Sequence, residues 1–383
     1  MKRHTIVLFL CVIIAGLGIL NYGGNTVPTN SMAVEETEEG EESQDYIKWV
    51  EFKVTCDAMK KAYQYDLDTY HNEVHLNWVD LLAYLGAKYG GDFTQYQEAD
   101  MEELAGTLSE GEKAMEELTK DMQYYAYYRE AYGAVLDGMV GEFAVETVTQ
   151  PVGENDDEAG KASKEAKQTG TQTVWKNVYG LKAFHPIAKG FPYSDYDDFG
   201  VSRSYGYKRN HLGHDMMGQV GTPVIAVESG YVAELGWNQY GGWRIGINSF
   251  DGKRYYYYAH LRQNRPYAEG LEKGDIIQAG DVIGYIGRTG YSTEENVNNI
   301  DEYHLHFGLQ LIFDESQRDG NNEIWVSGYE LVKFLYQHQS EVERNDDTKE
   351  WTRIYQIKDP FVNEYAKTHK TIDTSEEEEG KTK

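Results

Sequence analysis

The order of apolar and polar positions divides the chain into stretches of different period. Residues 5–20 form an unbroken apolar run. Residues 21–44 are polar and residues 35–42 are dominated by glutamate. Such a stretch buries too little apolar surface to offset its ordering entropy, so it reads as a solvated tether. From Tyr46 to about Phe143 the period is helical. Trp78, Leu81, Leu82 and Leu85 recur on one face, Gly90-Gly91 supplies a stop, and Met115, Leu118, Met122 and Tyr125 repeat the spacing. The tyrosines between Tyr124 and Tyr132 invite a sugar-binding reading, but aromatics at helical spacing are far more often core, and that is the reading taken. Residues 153–173 are rich in Glu, Asp, Lys, Ser and Gly without apolar periodicity, as a linker is.

Beyond Val174 the pattern shortens. Runs at 224–227, 230–232, 243–247, 254–258, 275–277, 282–286 and 304–311 are β-type and punctuated by glycine, which predicts an antiparallel β domain. A helix is expected over 325–342, with Tyr329, Val332, Leu335 and Tyr336 on one side. The tail from about Asn363, ending in the acids of 376–379, reads as disordered. The fold class is therefore α+β, divided as a signal or anchor segment (1–22), an acidic tether (23–45), a helical module with its own core (46–145), a linker (146–173), a β domain with a C-terminal helix (174–345) and an acidic tail (346–383).

Composition narrows the partners. A chain of 383 residues accommodates two domains. Its formal charge of −28, from 64 acidic and 36 basic residues, disfavours a grip on nucleic acid, which needs Lys and Arg. Cys11 and Cys56 cannot build a disulfide framework or a cysteine zinc site. Lys2-Arg3-His4 ahead of the apolar run has the order of an export signal. The run is short for a membrane span of about 20 residues and long for a signal core of about 7–15. Ser31-Met32-Ala33 is a passable cleavage sequence placed rather far downstream. An uncleaved anchor is the reading taken, with Lys2 and Arg3 inside and the bulk of the chain outside, membrane-anchored or secreted to the cell wall.

Histidines concentrate in the β domain. In His304-Leu305-His306 both imidazoles share one strand face, because side chains alternate with period two. His211 and Asp215, four apart with Gly213 between them, also fall on one face of a strand. Two imidazoles and a carboxylate are ligand types that zinc takes where a fourth position stays open. His214, out of phase with His211, and His185 read as structural histidines. His71 and His75, with no third ligand nearby, read as surface residues.

A set of motifs occurs in order around these histidines: His211-x-Gly213-x-Asp215, Gly221-Thr222-Pro223, Tyr258-Ala259-His260-Leu261, Lys273-Gly274-Asp275, Ala279-Gly280-Asp281, Thr289-Gly290 and His304-Leu305-His306-Phe307. Over about residues 185–312 the chain resembles the lysostaphin-type or LytM-type zinc peptidases of family M23. The resemblance implies an antiparallel β groove, a Zn2+ cofactor, and endopeptidase cleavage of the peptides of bacterial peptidoglycan. It carries His211, Asp215 and His306 over as zinc ligands, His304 as general base and His260 as second catalytic histidine. Tyr205, six residues before His211, matches a place where some members put an oxyanion-stabilising tyrosine. Residues 291–303 form an insertion relative to the family's spacing that should shape one groove wall. The competing class is a catalytically quiet partner in a cell-wall, division or sporulation complex, and the helical module could contact a protein partner in either case.

Overall fold

The computed structural model describes residues 48–50, 52–149, 172–204, 208–318 and 322–368. The expected N-terminal anchor, the tether up to residue 45, most of the linker and the end of the tail lie outside the described residues. Among the described residues no helix is long and apolar enough to cross a membrane.

A short strand, β1 (Lys48–Val50), precedes five helices: α1 (Cys56–Thr69), α2 (Trp78–Tyr89), α3 (Glu98–Ser109), α4 (Met115–Thr119) and α5 (Tyr125–Leu136). The ends of α2 follow from its sequence. Asn77 Oδ1 accepts from the Val79 and Asp80 N–H groups, and Gly90 takes the left-handed conformation at φ 61° that ends the helix. The apolar faces close on one another through Met59, Leu81, Leu85, Met101 and Leu104, and Tyr128 and Tyr132 are buried among them. Those tyrosines are core residues.

Two long strands follow, β2 (Val140–Thr149) and β3 (Gln172–Leu181), paired antiparallel in a ten-residue ladder. The expected linker thus begins and ends in strand. The ribbon mixes polar residues with Val, Phe and Trp without strict alternation, as in Val174-Trp175 and Val178-Tyr179, so its strands do not stand out beside the low-complexity segment between them.

The remaining strands are short, as their spacing predicts: β4 (Tyr193–Ser194), β5 (Ser202–Ser204), β6 (Lys208–Asn210), β7 (His214–Gly218), β8 (Pro223–Ile225), β9 (Gly230–Asn238), β10 (Gly242–Ser249), β11 (Arg254–Ala259), β12 (Ile276–Ile277), β13 (Val282–Tyr285), β14 (His304–Leu311) and β15 (Ile324–Val326). The principal sheet runs β1-β15-β14-β11-β10-β9-β12, with β7 added to β14 and β4 to β7. Its pairs are antiparallel except β1 with β15. β14 is the centre. β11 flanks it along one edge, while β7 and β15 divide the other.

The helices do not carry a separate core. Their buried residues and those of the sheet, from Leu82 to Phe307 and Phe334, form one continuous cluster. Trp78 stacks on Phe334 at 5.5 Å, and Arg254, buried beneath the sheet, donates from Nη1 to the Ala134 carbonyl of α5 at 3.1 Å while two more of its nitrogens bond Glu228. The helical pattern gave no sign of this, because a buried face does not say which surface covers it.

The C-terminal expectation is also revised. Trp325 lies in β15, and the helix there is only α6 (Tyr329–Leu335). Residues expected in the tail form β17 (Trp351–Arg353), which pairs β16 (Val342–Arg344), and β18 (Ile357–Lys358), which extends the β2-β3 ribbon. Residues 360–368 are helical. Buried Glu350, Arg353, Ile357 and Asp359 anchor this segment, and because three of the four are charged they do not stand out in an acidic sequence.

Candidate metal centre

β14 aligns His304 and His306 on one face, and its register with β7 sets Asp215 directly opposite His306. His211 is not in a strand. It sits three residues ahead of β7, in the turn through Gly213. That turn closes tightly on the site: a Cβ on Gly213 would stand 2.4 Å from His306 Cε1, so a side chain there would displace the ring. The turn brings His211 Nε2 to 3.0 Å from Asp215 Oδ1 and 3.0 Å from His306 Nδ1, which is itself 2.8 Å from the same carboxylate oxygen. Among the described residues this trio is the one group of His, Cys, Asp and Glu side chains arranged to hold a metal ion.

The donor set fits zinc. Ligands about 2.0–2.2 Å from a tetrahedral ion stand roughly 3.3 Å from one another, a few tenths of an ångström more than these separations. His211 Nδ1 donates to the Asp198 backbone carbonyl at 3.3 Å, with Asp198 Oδ1 3.0 Å away, which in the neutral ring leaves Nε2 as a bare lone pair facing a carboxylate oxygen and another imidazole nitrogen. Three such atoms so close can share a cation, a metal ion or else protons on the imidazoles. Burial would raise the Asp215 carboxyl, but the adjoining His211 and His306 rings outweigh it and hold the group far below the usual carboxylate range. Burial pushes His306 down to about 4 against the pull of Asp215.

Further residues lock these ligands, and sequence reasoning did not name them. Arg203 Nη1 donates to Asp215 Oδ2 at 2.8 Å, and its Nη2 pairs with Asp198 Oδ2. Arg203 therefore occupies the carboxylate oxygen that faces away from His211 and His306, while Asp198 fixes the His211 tautomer. Outer partners of this kind orient ligands and tune their basicity. A lone arginine and aspartate upstream of a histidine carry no spacing signal that could have singled them out.

The remaining histidines separate cleanly. His304 Nδ1 donates to the Glu302 carbonyl at 3.0 Å, and its Nε2 lies 3.7 Å from Asp215 Oδ1. His260 follows β11 at φ 61°, donates from Nδ1 to the Thr289 carbonyl at 3.0 Å, and sets its ring 4.8 Å from that of His304, tilted by 59°. Burial, with the nearby His304 and His306, holds His260 well below its ordinary value, so the ring is neutral. Tyr205 lies outside the described residues. Tyr291, at the start of the insertion, places its ring 6.0 Å from His260 and beneath the Arg209 guanidinium. His214 points elsewhere, to Asp195 Oδ2 at 2.8 Å, and His185 is buried between the Ile187 backbone and the Tyr193 hydroxyl. His75 is tied to Asp66 and His71 is exposed.

A groove of about 1000 Å³ opens from His211 and His306 across β14, β11 and β10. Tyr255, Tyr257 and Trp325 line it, with Arg244 and Glu234 paired farther along. Residues 52–136 contribute nothing to its lining. The insertion, expected to form one wall, does not line this groove; it is fixed beside it, where Asn296 Oδ1 accepts from Trp243 Nε1 at 2.9 Å and from the Asn264 N–H at 2.8 Å.

Residues 209–324 match Peptidase family M23. The L-Ala--D-Glu endopeptidase of Bacillus subtilis is 38% identical over 34% of this chain and 38% of its own length. A glycyl-glycine endopeptidase of Staphylococcus capitis is 35% identical over 38% of this chain and 33% of its own. The chain thus spans well under half of either relative. The solved catalytic domain of the antimicrobial peptidase lysostaphin from Staphylococcus simulans is 31% identical, with 37% of this chain and 92% of that one covered and a TM-score of 0.29.

Proposed function

Because residues 209–324 belong to peptidase family M23, we propose that this protein is a zinc-dependent endopeptidase that cuts peptide bonds in bacterial peptidoglycan. The observation that carries the proposal is the convergence of His211 Nε2, Asp215 Oδ1 and His306 Nδ1, with two further histidines beside them, on a groove of about 1000 Å³. The endopeptidase relatives support the same reaction class.

Zinc held by these three side chains would polarise a scissile carbonyl and make a water acidic enough to attack it near neutral pH. The protein's own residues supply the proton traffic. His304, its Nδ1–H committed to Glu302, presents a free Nε2 lone pair towards the ligands and accepts the nucleophile's proton, then returns it to the departing amine. His260 has also spent its Nδ1–H, on Thr289, so in its neutral state it orients the nucleophile as an acceptor and does not donate to an oxyanion. Arg203 and Asp198 keep Asp215 and His211 in their ligating orientations. For the oxyanion, Tyr205 remains the proposed donor.

We place the protein outside the cytoplasmic membrane, tethered by residues 1–22, where peptidoglycan is reached. The helical residues 52–136 then act as a support fixed to the back of the catalytic unit and as the face available to a protein partner. Mass spectrometry of peptidoglycan incubated with the zinc-loaded chain is the test. New peptide termini that disappear with Asp215→Ala are expected, whereas an uncut wall with zinc bound would assign the protein to the binding class.

A further inference from the structure

A second cavity, of about 270 Å³, lies where the C-terminal hairpin β16-β17 packs against the β7-β8 turn and the loop after His260. Four cations line it, Arg262, Arg265, Arg344 and Lys349, together with Trp351 and Phe191, and no carboxylate does. In a chain of net charge −28 such a concentration of positive charge runs against the composition. Phe191, Arg344, Lys349 and Trp351 also fall outside residues 209–324, so the cavity is a composite of the peptidase region and its flanks.

The cations are held in place, but among the described residues only one of the four is paired with a carboxylate. Arg262 lies 4.1 Å over the Tyr285 ring and donates from Nε to the Arg265 carbonyl at 2.9 Å. Arg265 pairs with Glu350, whose second oxygen accepts from the Tyr285 hydroxyl at 2.5 Å. Lys349 Nζ reaches the Asp346 carbonyl. Among the described residues, Arg262, Arg344 and Lys349 have no carboxylate partner. Burial, against the opposing pull of Tyr285 and Glu350, holds the Arg262 guanidinium below its ordinary value. Arg262 is half-buried and the other three cations are exposed; like charges gathered around one cavity repel, so the arrangement favours an anion that takes several of them at once. Guanidinium forks match tetrahedral oxyanions bidentately, and Trp351, packed edge-on against Phe191 at 5.2 Å, offers an apolar wall beside them.

We propose that this cavity binds a phosphate group, presented either as free phosphate or as one unit of a phosphodiester polymer. It is a site separate from the metal centre, and its occupancy does not depend on peptidase activity. The overall negative charge of the protein makes diffuse accumulation of polyanions unfavourable, so binding would report the cavity itself.

The test is calorimetric titration of the full chain in neutral micelles with inorganic phosphate and with poly(glycerol phosphate), at matched ionic strength. Saturation at one site per chain is expected. Arg344→Gln, on an exposed strand that does not depend on it for packing, should weaken binding at least about tenfold, as loss of a charge-assisted contact does. Arg262→Gln should weaken it similarly, and Lys113→Gln, on the exposed loop before α4, should not. Affinity that is equal per phosphate for the two probes identifies free phosphate as the ligand, and a much tighter polymer identifies the phosphodiester; either keeps the site. No saturation below about 10 mM, an affinity too weak to be specific, would overturn the proposal. So would unchanged binding in both arginine variants, or equal binding of poly(glutamate).

Discussion

Two buried aspartates in this protein gather histidines around them, and they solve the same electrostatic problem differently. Asp66, on α1, is fully enclosed, but both of its oxygens meet donors: His75 Nε2 at 2.8 Å and the Tyr179 hydroxyl at 2.6 Å on one, and the Trp78 backbone N–H at 2.8 Å on the other. That cluster is complete as it stands and joins α1 and α2 to β3. Asp215 also has a donor on one oxygen, from Arg203, but its other oxygen faces two imidazole nitrogens that also face each other, one of them stripped of its proton by Asp198. The residue types are alike. What separates a structural cluster from a metal centre is the ratio of hydrogens to lone pairs, fixed by the outer partners.

Substitution of the two aspartates should give opposite phenotypes. Asp215→Ala is expected to lose nearly all bound zinc and all wall cleavage. Asp66→Ala should keep zinc but lose roughly 2–4 kcal/mol of stability from stranded buried donors. Metal analysis beside denaturant unfolding reads both, and zinc loss in the Asp66 variant would erase the distinction. Next in size is His304→Ala, which should retain zinc and cut turnover by about 10² to 10⁴, the usual contribution of a general base; wild-type turnover would move the role to His260.

A pH effect sharpens the comparison from a third histidine. Burial lowers His185 from 6.5 to about 4. Between those values the unfolded chain binds a proton that the folded one does not, so stability is complete above pH 6.5 and falls as the pH drops towards 4, by up to about 3 kcal/mol. His185→Gln should flatten that part of the unfolding profile, and an unchanged slope would show that the ring titrates normally. The smallest effect is expected from Arg203→Gln. Zinc affinity should fall about 10- to 100-fold, as for other outer-sphere changes, measured by competition with a chelator, and an unaltered affinity would make Arg203 a bystander.

The parts legible in the sequence were those fixed by local period. His304 and His306 two apart on a strand, the short β runs and the α2 stop at Gly90 follow from spacing alone. The convergence of His211 with Asp215 is also present, although its cause is the close approach at Gly213 and not a shared strand face. Long-range partners were not legible. Arg203 and Asp198 have no periodic neighbours, and the docking of the helices on the sheet through Arg254 and Phe334 joins residues 120 or more apart. The cation-lined cavity escaped for the same reason, since its members lie on segments that only the fold brings together.

The most direct test of the central claim is X-ray diffraction from zinc-loaded crystals at the zinc absorption edge. An anomalous peak about 2.0–2.2 Å from His211 Nε2, Asp215 Oδ1 and His306 Nδ1, with Arg203 still on Asp215 Oδ2, is the result expected. A peak elsewhere, or none at full zinc loading, would contradict the assignment of these three residues as the metal centre.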